Sequence, residues 1–180
     1  MRDNRAVYVE EPPRRPRGRG RSPEPLTGEH VKRTPLVRVH LVRAPLGEAE
    51  RRHRFPYGDS RPGYEGLRGQ DHGAWAGRTI DEVAAEDPVA LGRWTADTSY
   101  APPGGGESVD ALIARVGLQL AGLAPGTHRG VVEQGVVRAA VVWALELPAA
   151  AFWRLDVRPE SVTTLTGRSG RWNLLVGAPE

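Results

Sequence analysis

The 180-residue sequence contains no cysteine, a single methionine and no long apolar run. The missing cysteines exclude disulfide bridges, thiolate metal ligands and cysteine nucleophiles. No stretch reaches the ~18 consecutive apolar residues that cross a bilayer, so a membrane protein is not expected. The N-terminus carries charge but no following apolar stretch, which predicts no signal peptide. By elimination, we expect a cytoplasmic protein.

The few histidines show no spacing that is typical of a metal site. They are His30, His40, His53, His72 and His128. We therefore predict no metal site and no cofactor.

Basic charge is concentrated in the first third of the chain. Residues 1–54 contain 14 basic and 7 acidic residues, net +7, whereas residues 55–180 contain 11 and 15, net −4. Residues 1–34 have almost nothing to bury, which predicts a disordered, basic Arg/Pro-rich tail before a domain at 35–180. The tail is either an arginine arm for a polyanion or a plain extension. Because no aromatic residues interleave its arginines, we favour the extension and expect at most weak nucleic-acid binding there.

The rest of the chain alternates strand and helix patterns, which predicts the α/β class. A strand at Leu36–Arg43 is apolar on both faces, as at the centre of a covered sheet. Residues 44–69 are predicted to be mostly loop, in which a short helix can form at Gly47–Arg54. The further predicted elements are helices at 79–86, 87–96 and 108–124, a strand at 129–132, a helix at 135–145, a helical turn at 148–152 and a hairpin of strands 162–166 and 172–176.

Five stretches follow one another in a distinctive order: Leu41–Arg43, Asp71–Val83, Pro103–Ser108, Val131–Val142 and Ser161–Val176. Together they resemble the histidine phosphatase superfamily, also called phosphoglycerate-mutase-like, and in particular its small bacterial members. The resemblance implies a reduced phosphoglycerate-mutase-like α/β/α sandwich that ends in a β-hairpin. It also implies that the segment 44–69 is much shorter than in the family. Arg61 lies in that segment, but nothing around it matches the family stretch that supplies a second arginine.

The family reaction, as the resemblance implies it, passes through a phosphohistidine. A histidine directly after the first-strand arginine attacks phosphorus, a cationic cup binds the phosphate, and an acid protonates the leaving oxygen. As the resemblance implies, Ala44 stands at the position of the nucleophile, Gly69 at that of the acid, and Glu133 at that of a second histidine that belongs to the cup. Arg43 is the remaining candidate phosphate-binding residue, and no catalytic residue is predicted.

We therefore predict a degenerate family member without phosphatase activity that binds, at most, a phosphorylated small molecule or another anion. A carboxylate ~4 Å from a phosphate charge costs about 4 kcal/mol at an effective dielectric near 20. One alternative is an active phosphomonoesterase whose nucleophile is displaced, for example to His40 or His53. The others are a non-catalytic scaffold and a degraded gene product. The sequence predicts no oligomeric state.

Structural roles are the simpler interpretation of the remaining candidates. Arg43 either binds phosphate or pairs with Glu133 across the cleft. Asp71 is interpreted as a turn residue and Glu107-Ser108 as a helix cap. Solvated or interface faces are expected for Arg115 and Arg138, and exposed loop edges for His72 and His128. Core positions are expected for the tryptophans at 75, 94, 143, 153 and 172.

Overall fold

One mixed sheet of four strands forms the centre of the fold, in the order β2-β1-β3-β4. The strands are β1 (Val37–Arg43), β2 (Gly126–Val132), β3 (Val162–Arg168) and β4 (Arg171–Leu175). β1 runs parallel to β2 and antiparallel to β3, which forms a hairpin with β4. The computed structural model describes residues 36–56 and 65–177, so the predicted tail at 1–34 and Arg61 lie outside the described residues.

Five α-helices and three short 3-10 segments connect the strands in the described ranges. The helices are α1 (Glu48–Arg51), α2 (Ile80–Glu86), α3 (Pro88–Ala96), α4 (Val109–Ala121) and α5 (Gln134–Ala144). The 3-10 segments are Glu65–Leu67, Gly73–Trp75 and Ala149–Arg154. None of these helices is long and apolar enough to cross a membrane.

The helix starts follow the capping residues that the sequence contains. The Thr79 hydroxyl accepts a hydrogen bond from the Glu82 amide, and the Glu82 carboxylate accepts one from the Thr79 amide. At the starts of α3 and α4, the side chains of Asp87 and Ser108 each accept one hydrogen bond from a backbone amide three residues further on. Each cap satisfies an amide that the first turn of a helix leaves unpaired. The predicted starts of these three helices are thereby confirmed.

Two strands are longer than predicted. β2 begins at Gly126, three residues before the predicted start, because its backbone pairs with β1 from Val37 onward. In the hairpin, β3 continues to Arg168 and the turn contains Ser169 and Gly170, both with positive φ. That backbone matches the right-handed twist of the strands, so the two-residue turn extends the ladder.

The core lies between one face of the sheet and the helices α4 and α5. On β1, Val39 and Leu41 are buried against it, while Arg38 on the other face is exposed. A second, smaller cluster contains Phe55, Trp75, Val83 and Ala90. The α/β class with a C-terminal hairpin is confirmed.

Candidate functional site

The carboxyl ends of the parallel strands β1 and β2 meet at one edge of the sheet. The Ala44 amide donates a hydrogen bond of 2.8 Å to the Val132 carbonyl, and the Arg43 amide donates one of 3.0 Å to Ser161. This backbone brings Arg43 and Ala44 next to Glu133, which directly follows β2. The candidate positions on these two strand ends therefore lie together, as the resemblance implies.

Arg43 is buried at this edge and bonded within the protein. Its Nη2 lies 3.0 Å from Glu50 Oε1, and its Nη1 donates to the Val157 carbonyl. Its Nε is buried and finds no hydrogen-bond partner among the residues that the structure describes. The guanidinium is thus directed at a carboxylate and a carbonyl of its own chain.

Glu50, which the sequence analysis did not single out, is the acidic partner. Its second oxygen accepts a hydrogen bond of 3.1 Å from the Gly47 amide at the start of α1. α1 is only four residues long, and the Glu50 side chain is one-third exposed. The sequence signal for this residue was its position in the first turn of α1, where an acidic side chain can accept hydrogen bonds from free backbone amides.

Glu133 occupies the space beside Gly69. A Cβ placed on Gly69 would lie 2.4 Å from Cδ and from both carboxylate oxygens of Glu133. The two positions that the resemblance assigns to the family's acid and second histidine are therefore adjacent here. The carboxylate at this point comes from position 133 and leaves no room for a side chain at position 69.

Arg115 was predicted on a solvated face, and that prediction is wrong. Its Nε and Nη2 each lie 2.7 Å from one oxygen of Glu107, a bidentate pair. The same guanidinium donates to the carbonyls of Gly66, Arg68 and Gly69. Arg115 thus holds the segment that contains Gly69 against α4, because a planar guanidinium can serve several acceptors at once.

Glu107 has a different role from the one predicted. Ser108 caps α4, whereas the Glu107 side chain pairs with Arg115 and its carbonyl accepts a hydrogen bond from Gln70. The prediction for Asp71 agrees with the structure, because its carboxylate accepts a hydrogen bond of 2.9 Å from the Gly73 amide in a turn.

Arg138 was also expected to be solvated, but its side chain is mostly buried. Its Nε donates to the Leu155 carbonyl at 2.6 Å, and Asp156 lies 3.7 Å from Nη2. Burial lowers the pKa of Arg138; the charge of Asp156 raises it, and that of Arg43 lowers it further. Arg43 and Arg138 therefore both bind the segment 155–157.

The described histidines lie in four different settings. His40 faces away from the α4–α5 side of the sheet, and its Nδ1 lies 2.9 Å from the Thr164 hydroxyl. His53 is exposed after α1. His128, predicted at a loop edge, lies within β2 and contacts the Ala124 carbonyl. No hydrogen bond or ion pair to Arg43 from a histidine of the described ranges is present.

His72 was predicted at an exposed loop edge and is instead buried, with 6% of its surface exposed. Its ring centroid lies 5.0 Å from that of Phe55 and 6.1 Å from that of Trp94. Desolvation lowers the pKa of His72, although contacts with the Pro56 and Gln70 backbone and the nearby acids Asp71 and Glu107 oppose the shift. The loop sequence gave no periodicity that could have revealed this burial.

No group of three or more metal-ligating side chains occurs within residues 36–56 and 65–177. The cationic side chains that this edge of the sheet contains are bonded to protein acceptors. Chemically, the arrangement offers a buried guanidinium that is already paired with the partly exposed carboxylate of Glu50.

The sequence model of the histidine phosphatase superfamily (branch 1) matches residues 63–177. That range begins after β1, so it does not include Arg43. The bifunctional protein Rv2228c of Mycobacterium tuberculosis (strain ATCC 25618 / H37Rv) is 52% identical over 46 residues, 26% of this chain and 12% of that protein. An equal match is found with the uncharacterized protein Mb2253c of Mycobacterium bovis. The match therefore spans only a small part of these curated relatives.

Solved structures share the fold at low sequence identity. The mycobacterial glucosyl-3-phosphoglycerate phosphatase Rv2419c in complex with VO3 is 22% identical, covers 77% of this chain and 97% of its own, and has a TM-score of 0.64. YhfR of Bacillus stearothermophilus is 19% identical over 78% and 96% of the two chains, with a TM-score of 0.67. The alpha-ribazole phosphatase of Shigella flexneri is 17% identical over 77% and 95%, with a TM-score of 0.65. The predicted phosphoglycerate-mutase-like fold is confirmed.

Proposed function

Because this chain belongs to the histidine phosphatase superfamily, we propose that it keeps the family fold without the phosphohistidine reaction. Its cleft then binds, at most weakly, a phosphate or another acidic group through Arg43. The observation that carries the proposal is the position of Arg43, which is followed by Ala44 and already paired with the carboxylate of Glu50.

Ala44 removes the covalent route. A methyl group has no lone pair to attack phosphorus, so no phosphoenzyme forms at the position that the resemblance assigns to the nucleophile. Glu133 adds a negative charge next to Gly69. The missing nucleophile and the added carboxylate both disfavour phosphoryl transfer. The carboxylate does so because it repels the phosphate dianion that a cationic cup attracts.

Glu50 supports weak binding because it acts as an internal competitor. Its carboxylate contacts the same guanidinium nitrogen that an external phosphate oxygen would use. An external anion must displace it, and the free energy of the Arg43–Glu50 contact is then subtracted from the binding free energy. The partial exposure of Glu50 on a one-turn helix makes that displacement accessible.

A displaced nucleophile has less support. His40 and Arg43 lie on opposite faces of β1, since side chains alternate along a strand and Arg43 is buried where His40 is directed at Thr164. His53 is exposed in the turn after α1. Neither imidazole contacts the Arg43 guanidinium.

Hydrolysis of an aryl phosphate tests the proposal directly. We expect no turnover of p-nitrophenyl phosphate by the full chain above the rate in buffer. Turnover that disappears in His40→Ala or His53→Ala would contradict the proposal and establish the displaced nucleophile. Turnover that survives both substitutions would show that the site has been misassigned.

Thermal unfolding with inorganic phosphate tests the binding part. A ligand that binds only the folded state raises Tm in proportion to RT ln(1 + [L]/Kd). We expect a small shift at millimolar phosphate for the unmodified chain and a larger one for Glu50→Gln, which removes the competing charge. Glu48→Gln is the matched control, because Glu48 pairs with the exposed Arg52 on the same helix.

The expected shift is lost in Arg43→Ala. If this variant does not fold, the comparison of Glu50→Gln with Glu48→Gln still decides the matter. If phosphate raised Tm equally in these two variants, or in neither of them, the result would contradict binding at Arg43.

A further inference from the structure

The sheet face that points away from α4 and α5 carries one arginine on each of its four strands. On β1 the buried residues Val39 and Leu41 define the inner face, so Arg38 lies on the outer face. The pairing places Arg129 of β2 on that outer face because it is the partner of His40. All of these arginines, together with Arg168 and Arg171, are exposed.

The register arranges the four arginines along a diagonal. Arg129 lies beside His40, and Arg38 is one outward position further along β1. Arg38 pairs with Thr166 of β3, and Arg168 is again one outward position further. Arg171 is the direct partner of Arg168. With strands ~4.8 Å apart and two-residue steps of about 6.7 Å, the Cα atoms of Arg129, Arg38 and Arg168 follow one another at about 8 Å, whereas the directly paired Arg168 and Arg171 are about 5 Å apart.

This outer face carries positive charge alone. At the outward positions of the four strands there is no aspartate or glutamate, although residues 55–180 as a whole have net charge −4. Near the arginines, Thr127, Thr166 and Asn173 add neutral hydrogen-bonding groups. The outward aliphatic residues Val42, Val131 and Val162 lie together at the opposite end of the strands. The arginines therefore form a defined stripe rather than a general surface charge.

We propose that this arginine stripe, Arg129–Arg38–Arg168–Arg171, is a docking surface for the backbone of single-stranded nucleic acid. A nucleic acid presents phosphates at regular intervals, and each arginine that neutralises one releases a bound counterion. The flexible arginine side chains adjust the spacings of their Cα atoms, about 5 to 8 Å, to that repeat. The outward positions of the described strands hold no phenylalanine, tyrosine or tryptophan, so the proposed contacts are electrostatic contacts to the phosphates and the binding is independent of base sequence.

Arg38, Arg129 and the hairpin pair Arg168–Arg171 are far apart in the chain, and the strand register brings them together. For this reason the sequence led us to expect nucleic-acid contact at most through the tail. The proposal concerns a different surface and does not depend on the cleft around Arg43.

Fluorescence anisotropy of the full chain tests the proposal. The probe is a labelled oligodeoxythymidylate of about 12 nucleotides, within the site sizes typical of such surfaces. We compare Arg38→Gln/Arg129→Gln with Arg93→Gln/Arg154→Gln, a matched pair of exposed arginines outside the stripe. Both variants lose the same net charge and keep residues 1–35, so any binding by the tail is common to them.

At about 50 mM salt we expect the stripe variant to bind at least about tenfold more weakly than the unmodified chain. The slope of log K against log salt should become less steep by about 1.4, or ~0.7 for each lost phosphate contact. The control variant should bind with the affinity and the salt dependence of the unmodified chain.

Three results would overturn the proposal: no binding by the unmodified chain at this salt concentration, equal losses in the two variants, or displacement of the oligonucleotide by polyglutamate at equal charge concentration. The last result would assign the stripe to an acidic protein partner. Coincident thermal unfolding curves of the two variants verify that folding is unchanged.

Discussion

At the residue scale, the buried arginines donate hydrogen bonds to backbone segments that are distant in the chain. Arg43 and Arg138 hold the segment 155–157, and Arg115 holds the segment 66–69. Each guanidinium finds several acceptors in the protein, which is the condition under which a buried cation is tolerated. A guanidinium whose terminal nitrogens already bind acceptors of its own chain is a weak ligand for a substrate, and this agrees with the proposed loss of catalysis.

His72 makes the stability of the fold sensitive to acid. Burial lowers the pKa of the folded-state imidazole below the value of about 6.5 in the unfolded chain. When the pH falls below about 6.5, the unfolded chain binds the proton first, so the free energy of unfolding decreases until the folded-state pKa is reached. Each pKa unit of difference between the folded and the unfolded state changes the free energy of unfolding by about 1.4 kcal/mol.

We therefore expect His72→Phe, which keeps a ring among Phe55 and Trp94, to flatten the pH dependence between about pH 5 and pH 7.5. Denaturant unfolding at several pH values measures the effect. His128→Gln is the control and should retain the slope of the unmodified chain. An unchanged slope in His72→Phe would show that another group controls the acid sensitivity.

At the element scale, sequence reasoning worked where the determinants are local. The starts of α2, α3 and α4 depend on caps within three residues, and those were predicted correctly. The early start of β2 and the burial of His72 depend on partners distant in the chain, so local patterns did not reveal them. In the site, Ala44 and Glu133 follow the paired strand ends and Gly69 lies beside Glu133, while the roles that the resemblance assigns to these positions stay predictions and Glu50, the partner of Arg43, was missed.

The contact between α4 and α5 depends on Gly117. A Cβ at this position would lie 2.2 Å from Cδ1 and Nε1 of Trp143, inside any normal contact distance. Gly117→Ala gains up to about 1 kcal/mol of helix propensity but overpacks the core, which typically costs about 1–3 kcal/mol. We expect a net loss of stability, measured as a lower denaturant midpoint.

Gly92 in α3 provides the matched control, because nothing lies within 4 Å of its added Cβ. Gly92→Ala should stabilise the protein by about 0.5–1 kcal/mol through propensity alone. Gains of equal size at both positions would contradict the close packing of α4 on α5.

At the scale of the whole molecule, two apolar clusters meet through a pair of tryptophans. Trp94 packs on the smaller cluster, Trp153 packs on the main core, and their ring centroids are 4.8 Å apart at an interplanar angle of 76°. Within residues 36–56 and 65–177 neither buried indole nitrogen has a hydrogen-bond partner, so the contact between the rings is apolar and aromatic. This contact makes the unfolding of each cluster depend on the other.

The unmodified chain should therefore unfold in one step, with far-UV circular dichroism and tryptophan fluorescence giving coincident curves. Trp94→Ala removes the contact at a cost of about 3–5 kcal/mol, and we expect the two curves to separate as the smaller cluster unfolds first. Trp172→Ala is the control: it removes a ring that packs on Trp143 within the main core, so it should lower the midpoint while the curves stay coincident. Two separate transitions in the unmodified chain would instead support the degraded gene product, because a fold that had lost an essential segment would no longer couple its clusters.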